Sequence, residues 1–297
     1  MQSTDIAFPN LGIYLTNVPK TISVFGFPIA FYGMIIAVGV ILGFTFASKE
    51  GDRLGQPKDF WWDFSIPAII FSVIGARAYY VIFSWDMYRG NIKEIFNTRH
   101  GGMAIYGAVI AGFLTMFVFC KMKKVAFLDA TDAAVFGLLT GQIIGRWGNF
   151  MNREAFGGYS DGLFAMRLPI EAVRQSDISA DIAAHIVEGT NYIQVHPTFL
   201  YESVLNLGLL IVMFLYRKHK RFNGEMTLWY LGGYGLIRFF VEGLRTDQLQ
   251  IGNTGIAVSQ MLGLFLLVSS VIAAIIMHLS VSKKKKDAVG SKVEEKS

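Results

Sequence analysis

The segment GRWGNFMNREAFGG (145–158) closes an almost wholly apolar run, and it sets Arg146 and Asn149 three residues apart, on one face of a helix. A second constellation, YGLIRFFVEGLR (234–245), spaces Tyr234, Arg238 and Glu242 at i, i+4 and i+8, with Arg245 seven residues after Arg238. These too share one helical face, so Glu242 can pair with either arginine. A guanidinium is planar, keeps its charge and grips a phosphate through two parallel hydrogen bonds. Two readings of Arg238 therefore stand side by side: a phosphate clamp, or an ion-pair network that only staples helices together. The same choice applies to Arg77, which sits in Gly-Ala-Arg-Ala with nothing else around it.

Other chemistry finds little support. The five histidines are scattered and no HExxH is present, so no metal site or cofactor is implied. There is no GxSxG elbow for a serine nucleophile. His100 and His196 are expected as loop or cap residues, and His185, His219 and His278 carry still less signal. The single Cys120 excludes an internal disulfide and is expected to pack in a core. Asp129 and Asp132 are expected as capping or interhelical groups.

The elements that must carry these residues are membrane helices. The 297-residue chain is 53% hydrophobic and 16% charged, against about 25% charged in soluble domains. Seven segments are long and apolar enough to cross a bilayer: about 25–48, 60–84, 102–120, 126–150, 198–216, 225–245 and 257–281. Lipid cannot satisfy backbone polar groups, so each is a helix. The expected fold is an all-α integral membrane protein, with seven transmembrane helices and a small extracytoplasmic head segment at 151–197. Lys49, Arg53 and Lys58, then KMKK (121–124), RKHKR (217–221) and KKKK (283–286), all fall on one side, which should be cytoplasmic. The N-terminus then lies outside. Residues 1–282 form the membrane domain and 283–297 a basic cytoplasmic tail, with six lysines against three acids.

The first twenty residues lack the basic start and continuous apolar core of a secretory signal and read as an interfacial stretch. Gly39/Gly43 and Gly141/Gly145 are GxxxG patterns for close helix contact. No internal repeat is visible, which weighs against duplicated transporter folds. Basic residues are divided among short loops, so no nucleic-acid footprint exists.

Depth then groups the polar residues. Each intramembrane arginine costs about 2.5–3.5 kcal/mol on insertion scales, so each needs a partner or a purpose. Arg77, Arg146 and Arg238 come late in spans that run outward, while Tyr32 and Tyr106 come early in spans that run inward. All five fall in the outer half of the bilayer, where an arginine-lined cavity suits a phospholipid phosphate.

The 145–158 segment resembles the signature of the prolipoprotein diacylglyceryl transferase family, Gly-Arg-x-Gly-Asn-Phe-x-Asn-x-Glu-x-x-Gly. It is matched here by Gly145, Arg146, Gly148, Asn149, Phe150, Asn152, Glu154 and Gly157. GGMAIYGAVIAG (101–112), HPTFLYES (196–203) and GLIRFFVEGLR (235–245) resemble family blocks in the same order, so the likeness covers nearly the whole chain. The resemblance implies transfer of the diacylglyceryl group of phosphatidylglycerol to the lipobox cysteine of a prolipoprotein at the bacterial cytoplasmic membrane. A thioether forms and glycerol phosphate is released. It further implies that Arg146 contacts the lipid, that Arg238 is critical, and that Tyr32, Asn149, Glu154, Gly157, Tyr234, Glu242 and Arg245 are motif residues.

One position departs from the family. Many members have Phe-His-Gly-Gly where this chain has Ile105-Tyr106-Gly107-Ala108, and that histidine has been proposed as the base. Either Tyr106 takes the role or no side-chain base is obligatory. A thiol with a pKa near 8.5 is a few per cent thiolate at neutral pH and strongly nucleophilic. The harder task is the departure of a phosphate oxygen from carbon, which Arg146 and Arg238 can assist by stabilising the developing charge. Two rival classes remain: a headgroup-binding transporter, and an intramembrane hydrolase for which no nucleophile or metal set is present.

Overall fold

Long apolar runs are helical over most of their length, and a long helix occupies most of each of the seven expected segments in the computed structural model. It describes residues 4–98, 101–250 and 255–294, with side chains as far as 284. His100 lies outside the described residues. The helices are α1 (Phe31–Arg53), α2 (Phe60–Phe83), α3 (Trp85–Tyr88), α4 (Ile105–Lys123), α5 (Phe127–Asn152), α6 (Ala180–Ala184), α7 (Thr198–Tyr216), α8 (Glu225–Leu244) and α9 (Val258–Glu294). Six of them, α1, α2, α4, α5, α7 and α9, are long and apolar enough to cross a membrane. The exception among the expected spans is α8, whose 20 residues include Arg238, Glu242 and four glycines. Large apolar side chains such as Ile66, Ile74, Val109, Leu114 and Phe265 point outward, as helices surrounded by lipid require.

The chain divides into two compact units, 44–134 and 1–43 together with 135–297. The 44–134 unit is built on α2 and α4, with Phe60, Trp61, Phe64, Met116 and Cys120 buried together with Ala130 and Ala133. Cys120 is thus a packing residue.

The larger unit has two cores. One joins Phe136 and Leu139 of α5 to Leu210 and Met213 of α7 and to Met226 and Tyr230 of α8. The other belongs to a small head. There β1 (Ile6–Phe8), β2 (Ile13–Leu15), β5 (Met166–Pro169) and β6 (Tyr192–Val195) form an antiparallel sheet in the order β2-β1-β5-β6. Its buried face packs Ile6, Phe8, Leu168, Ile193 and Val195 against Phe156 and Phe199.

Two expectations change here. The head is not confined to 151–197, because β1 and β2 recruit the N-terminal residues, and it carries strands in an otherwise helical chain. Residues 25–30 do not begin the first span. Strands β3 (Thr21–Val24) and β4 (Phe27–Ala30) pair as a hairpin across Phe25-Gly26, whose φ values of 50° and 84° make the turn that suits the twist of paired strands. Phe25 at its tip is 98% exposed, and Ile22, Val24, Phe27 and Ile29 are exposed with it.

Candidate active site

The site begins at the C-terminal end of α5, which α1 flanks in antiparallel register. Gly39 and Gly43 face the backbone of Gly141 and Gly137, and one end of this seam is the ring of Tyr32 lying against Gly148. A Cβ at Gly148 would stand 2.8 Å from that ring, so the glycine is what admits Tyr32. The first GxxxG pattern thus makes a close helix contact, and its partner is α5 through Gly141 and Gly137.

Arg146 projects from this stretch of α5 onto α7. Its Nη2 donates to Glu202 Oε1 at 2.6 Å and its Nη1 to Asn149 Oδ1 at 3.3 Å. The other oxygen of the same carboxylate, Oε2, accepts from Arg238 Nη1 at 3.3 Å. Glu202 is 1% exposed, so one buried carboxylate holds two guanidinium groups, one on each oxygen. Arg238 Nη2 also lies 2.5 Å from Glu242 Oε2, one turn further along α8. Arg245 follows, 3.9 Å from Glu242 and forked onto Asp247 through Nε and Nη2 at 2.9 and 2.8 Å. The Tyr234 phenol hydrogen-bonds Arg146 and stacks on Tyr230, with ring centroids 5.6 Å apart.

Three arginines are thereby balanced by Glu202, Glu242 and Asp247. Balanced charge lowers the cost of placing arginine in an apolar helix bundle. Yet the guanidinium groups are not exhausted. Each carries five N–H donors, the described contacts of Arg146 and Arg238 occupy only some of them, and the two side chains keep 19% and 16% exposure.

Beyond Asn152 the chain turns sharply. Arg153 takes φ 57°, a left-handed conformation more usual for glycine at a helix end. Its buried guanidinium secures the turn by donating to the carbonyls of Thr4, Val18 and Met151. Glu154 then folds back, its carboxylate accepting from Asn149 Nδ2 at 3.0 Å and Asn152 Nδ2 at 3.4 Å. This fixes the Asn149 amide with its oxygen toward Arg146. Gly157 has a different part. Its N–H donates to His196 O, Gly158 N–H donates to Leu244 O, and a Cβ on Gly157 would lie 2.8 Å from both His196 Cβ and Leu244 O. Only a glycine lets the signature strap the start of α7 to the end of α8, and that strap sets Glu202 and Arg245 in place.

Of the expected residues of the larger unit, Arg146, Asn149, Glu154, Tyr234, Arg238, Glu242 and Arg245 lie in this polar cluster, Tyr32 packs beside it on Gly148, and Gly157 makes the strap. Glu202 and Asp247 are the additions. Glu202 lies within HPTFLYES, and its signal was an acid in an apolar helix, the counterpart of the intramembrane arginines.

The 44–134 unit holds the other two expected groups. Arg77 is 7% exposed and donates from Nε to Ile95 O, from Nη1 to Gly101 O and Gly102 O, and from Nη2 to Glu94 O and Asn97 O. All five donors close on one loop, so Arg77 organises that loop and has none left for a ligand. Tyr106, in the first turn of α4, is half-buried with its ring 6.4 Å from that of Tyr79. Its hydroxyl makes no hydrogen bond among the described residues.

Residues 19–276 match the family model described as "Prolipoprotein diacylglyceryl transferase". A relative from Clostridioides difficile, named "Phosphatidylglycerol--prolipoprotein diacylglyceryl transferase", is 40% identical over 267 residues, which cover 90% of this chain and 96% of the relative. Relatives of the same name from Bacillus cytotoxicus and Finegoldia magna are 42% identical over 252 residues and 40% over 254, covering 84% and 85% of this chain and 88% and 93% of theirs. With the match spanning most of its length, the chain belongs to the prolipoprotein diacylglyceryl transferase family.

Proposed function

We propose that this protein transfers the diacylglyceryl group of phosphatidylglycerol to the lipobox cysteine of a prolipoprotein, the first step of bacterial lipoprotein maturation. The observation that carries the reading is the Glu202 carboxylate bridging Arg146 and Arg238. It holds two guanidinium groups side by side with donors to spare, which is the arrangement a lipid phosphate needs.

The thiol sulfur attacks the glyceryl carbon that carries the phosphate. A C–S bond forms, the C–O bond to phosphate breaks, and the electron pair leaves on the phosphate oxygen. Glycerol phosphate departs and the thiol proton is lost to solvent or a base. Arg146 and Arg238 stabilise the charge on the departing phosphate. Glu202 and Glu242 keep their planes fixed, so little reorganisation accompanies bond breaking. Asn149, held by Glu154, and Tyr234 complete the orientation of Arg146. Tyr106, which stands where many family members have a histidine, serves in this reading as a hydrogen-bond donor to phosphate or glycerol oxygens.

The protein is a multi-pass membrane protein. In the proposed arrangement α8 is the seventh span. Its 20 residues extend roughly 30 Å, the thickness of the hydrocarbon layer, and its charges are paired. The lysine-rich loops then face the cytoplasm, while the N-terminus and the head face outward. Residues 1–282 form one catalytic membrane domain and 283–297 a basic tail.

Purified protein in phosphatidylglycerol nanodiscs, supplied with a lipobox peptide, should yield thioether-linked peptide and an equal amount of glycerol phosphate. Lipid movement with neither product would replace the transferase with a transporter.

A further inference from the structure

On the side of Glu154 away from Asn149 lies a cavity of about 400 Å³, lined by Lys20, Asn152, Arg153, Glu154, Glu171 and Arg174 among others. Ligand pockets run from roughly 300 to 1,000 Å³, so this one suits a small molecule. Its lining is polar, which disfavours an acyl chain or the apolar core of a signal peptide. Lys20 stands at the base of the β3–β4 hairpin, where its carbonyl accepts from Phe31 N, and its Nζ donates to Ala172 O at 2.9 Å. The Arg174 side chain is 70% exposed, and among the described residues its guanidinium pairs with Glu154 alone, at 3.5 Å. Arg153 is committed to backbone carbonyls and contributes charge alone. Burial first, and then the charges of Arg153 and Arg174 against that of Glu154, push the Lys20 ammonium below the usual lysine range.

The cavity adjoins the active site through Glu154. One of its oxygens accepts from Asn149, which in turn accepts from Arg146, while the other meets Arg174. We propose that this cavity binds a glycerophosphate anion, with its phosphate between Lys20 and Arg174 and its hydroxyl groups on Glu171 and Asn152. The assignment rests on the transferase reading, whose second product is such an anion. The cavity is then where that product rests after leaving the arginines. The mixed lining fits this class better than a bare anion, since two cations meet the phosphate and the carboxylate and amide take the hydroxyls. The same chemistry occurs in the headgroup of a second phosphatidylglycerol molecule, so the source has to be resolved by experiment.

Binding of soluble glycerol phosphate is measured by calorimetry on the full-length protein in phosphatidylcholine nanodiscs, where no transfer occurs. Lys20→Gln with Arg174→Gln should weaken binding by about tenfold or more. The product-inhibition constant should rise by the same factor, while the initial rate of thioether formation stays within about threefold. Glu171→Gln should weaken glycerol phosphate but leave inorganic phosphate unchanged. Arg174→Gln alone, at an exposed position, should show part of the loss even if the double variant is unstable. Competition by phosphatidylglycerol added to the nanodiscs would identify the headgroup as the occupant, and its lack the free product. Wild-type affinity and inhibition in Arg174→Gln and the double variant would overturn the site. A wild-type protein that binds glycerol phosphate through these residues yet forms no thioether would instead overturn the transferase reading and leave the cavity standing.

Discussion

Arg77 and Arg146 are both arginines set into apolar helices, and their surroundings differ in kind. Arg77 donates all five N–H groups to carbonyls of residues 94–102, and the Tyr88 ring lies 5.1 Å from its guanidinium carbon. Arg146 meets one oxygen of a buried carboxylate whose other oxygen holds Arg238. A carbonyl cage satisfies every donor but does not neutralise the charge. A carboxylate brace neutralises and orients the guanidinium while leaving donors for a visitor. In the proposed function, the nature of the partner therefore separates the structural Arg77 from the phosphate-binding Arg146.

That distinction can be broken first at Arg77. Arg77→Met leaves five loop carbonyls without their donor, and the loss should be about 3–5 kcal/mol of stability, in the range for removing one side of a buried charged network. Thermal unfolding in nanodiscs reads it directly, and an unchanged midpoint would mean the cage contributes nothing.

Glu202→Gln tests the brace. The substitution keeps the shape and removes the charge shared by Arg146 and Arg238, and thioether kcat/KM should fall by about 100-fold, the scale of losing one preorganised electrostatic contact. Full activity with lowered stability would reduce Glu202 to a staple between helices.

Tyr106→Phe should have a smaller effect, a loss of roughly 10- to 100-fold, the size of one transition-state hydrogen bond of about 1.4–2.7 kcal/mol. Complete loss that is recovered at higher pH, where the acceptor thiol ionises unaided, would mark Tyr106 as the base. No change would leave it a packing residue.

The smallest effect belongs to His196, whose imidazole burial holds below its ordinary value. The unfolded chain takes up this proton first, so the contribution to stability is complete above about pH 6.5 and declines as pH falls below it. His196→Gln should flatten that part of the stability profile, and an identical profile would place the acid sensitivity elsewhere.

Much of this was legible in the sequence, for identifiable reasons. The spans announce themselves because a bilayer demands about twenty apolar residues in a row, and the two arginine constellations stand out against them. The head was partly hidden. Strands of three and four residues are too short for an alternating pattern to register, and β1 buries Ile6, Ala7 and Phe8 alike. The hairpin at 21–30 is as apolar as the span it precedes, so only the Phe25-Gly26 turn marks the boundary. Arg153 gives no sign in sequence that it occupies a left-handed turn and ties two remote carbonyls. Gly157 was found as a motif residue, but its purpose, the close approach of His196 and Leu244, exists only in three dimensions. Glu202 is an acid in an apolar helix, but only the fold shows that it balances Arg146 and Arg238, 56 and 36 residues away in sequence.

In the proposed reaction Arg146 acts through the geometry of its guanidinium as well as its charge. Arg146→Lys retains the charge and the possibility of pairing with Glu202, but removes the planar fork. Thioether formation per folded molecule, measured in phosphatidylglycerol nanodiscs beside the unfolding midpoint, should fall by about 100- to 1,000-fold with the midpoint nearly unchanged. Near-normal turnover in Arg146→Lys would remove Arg146 from the phosphate.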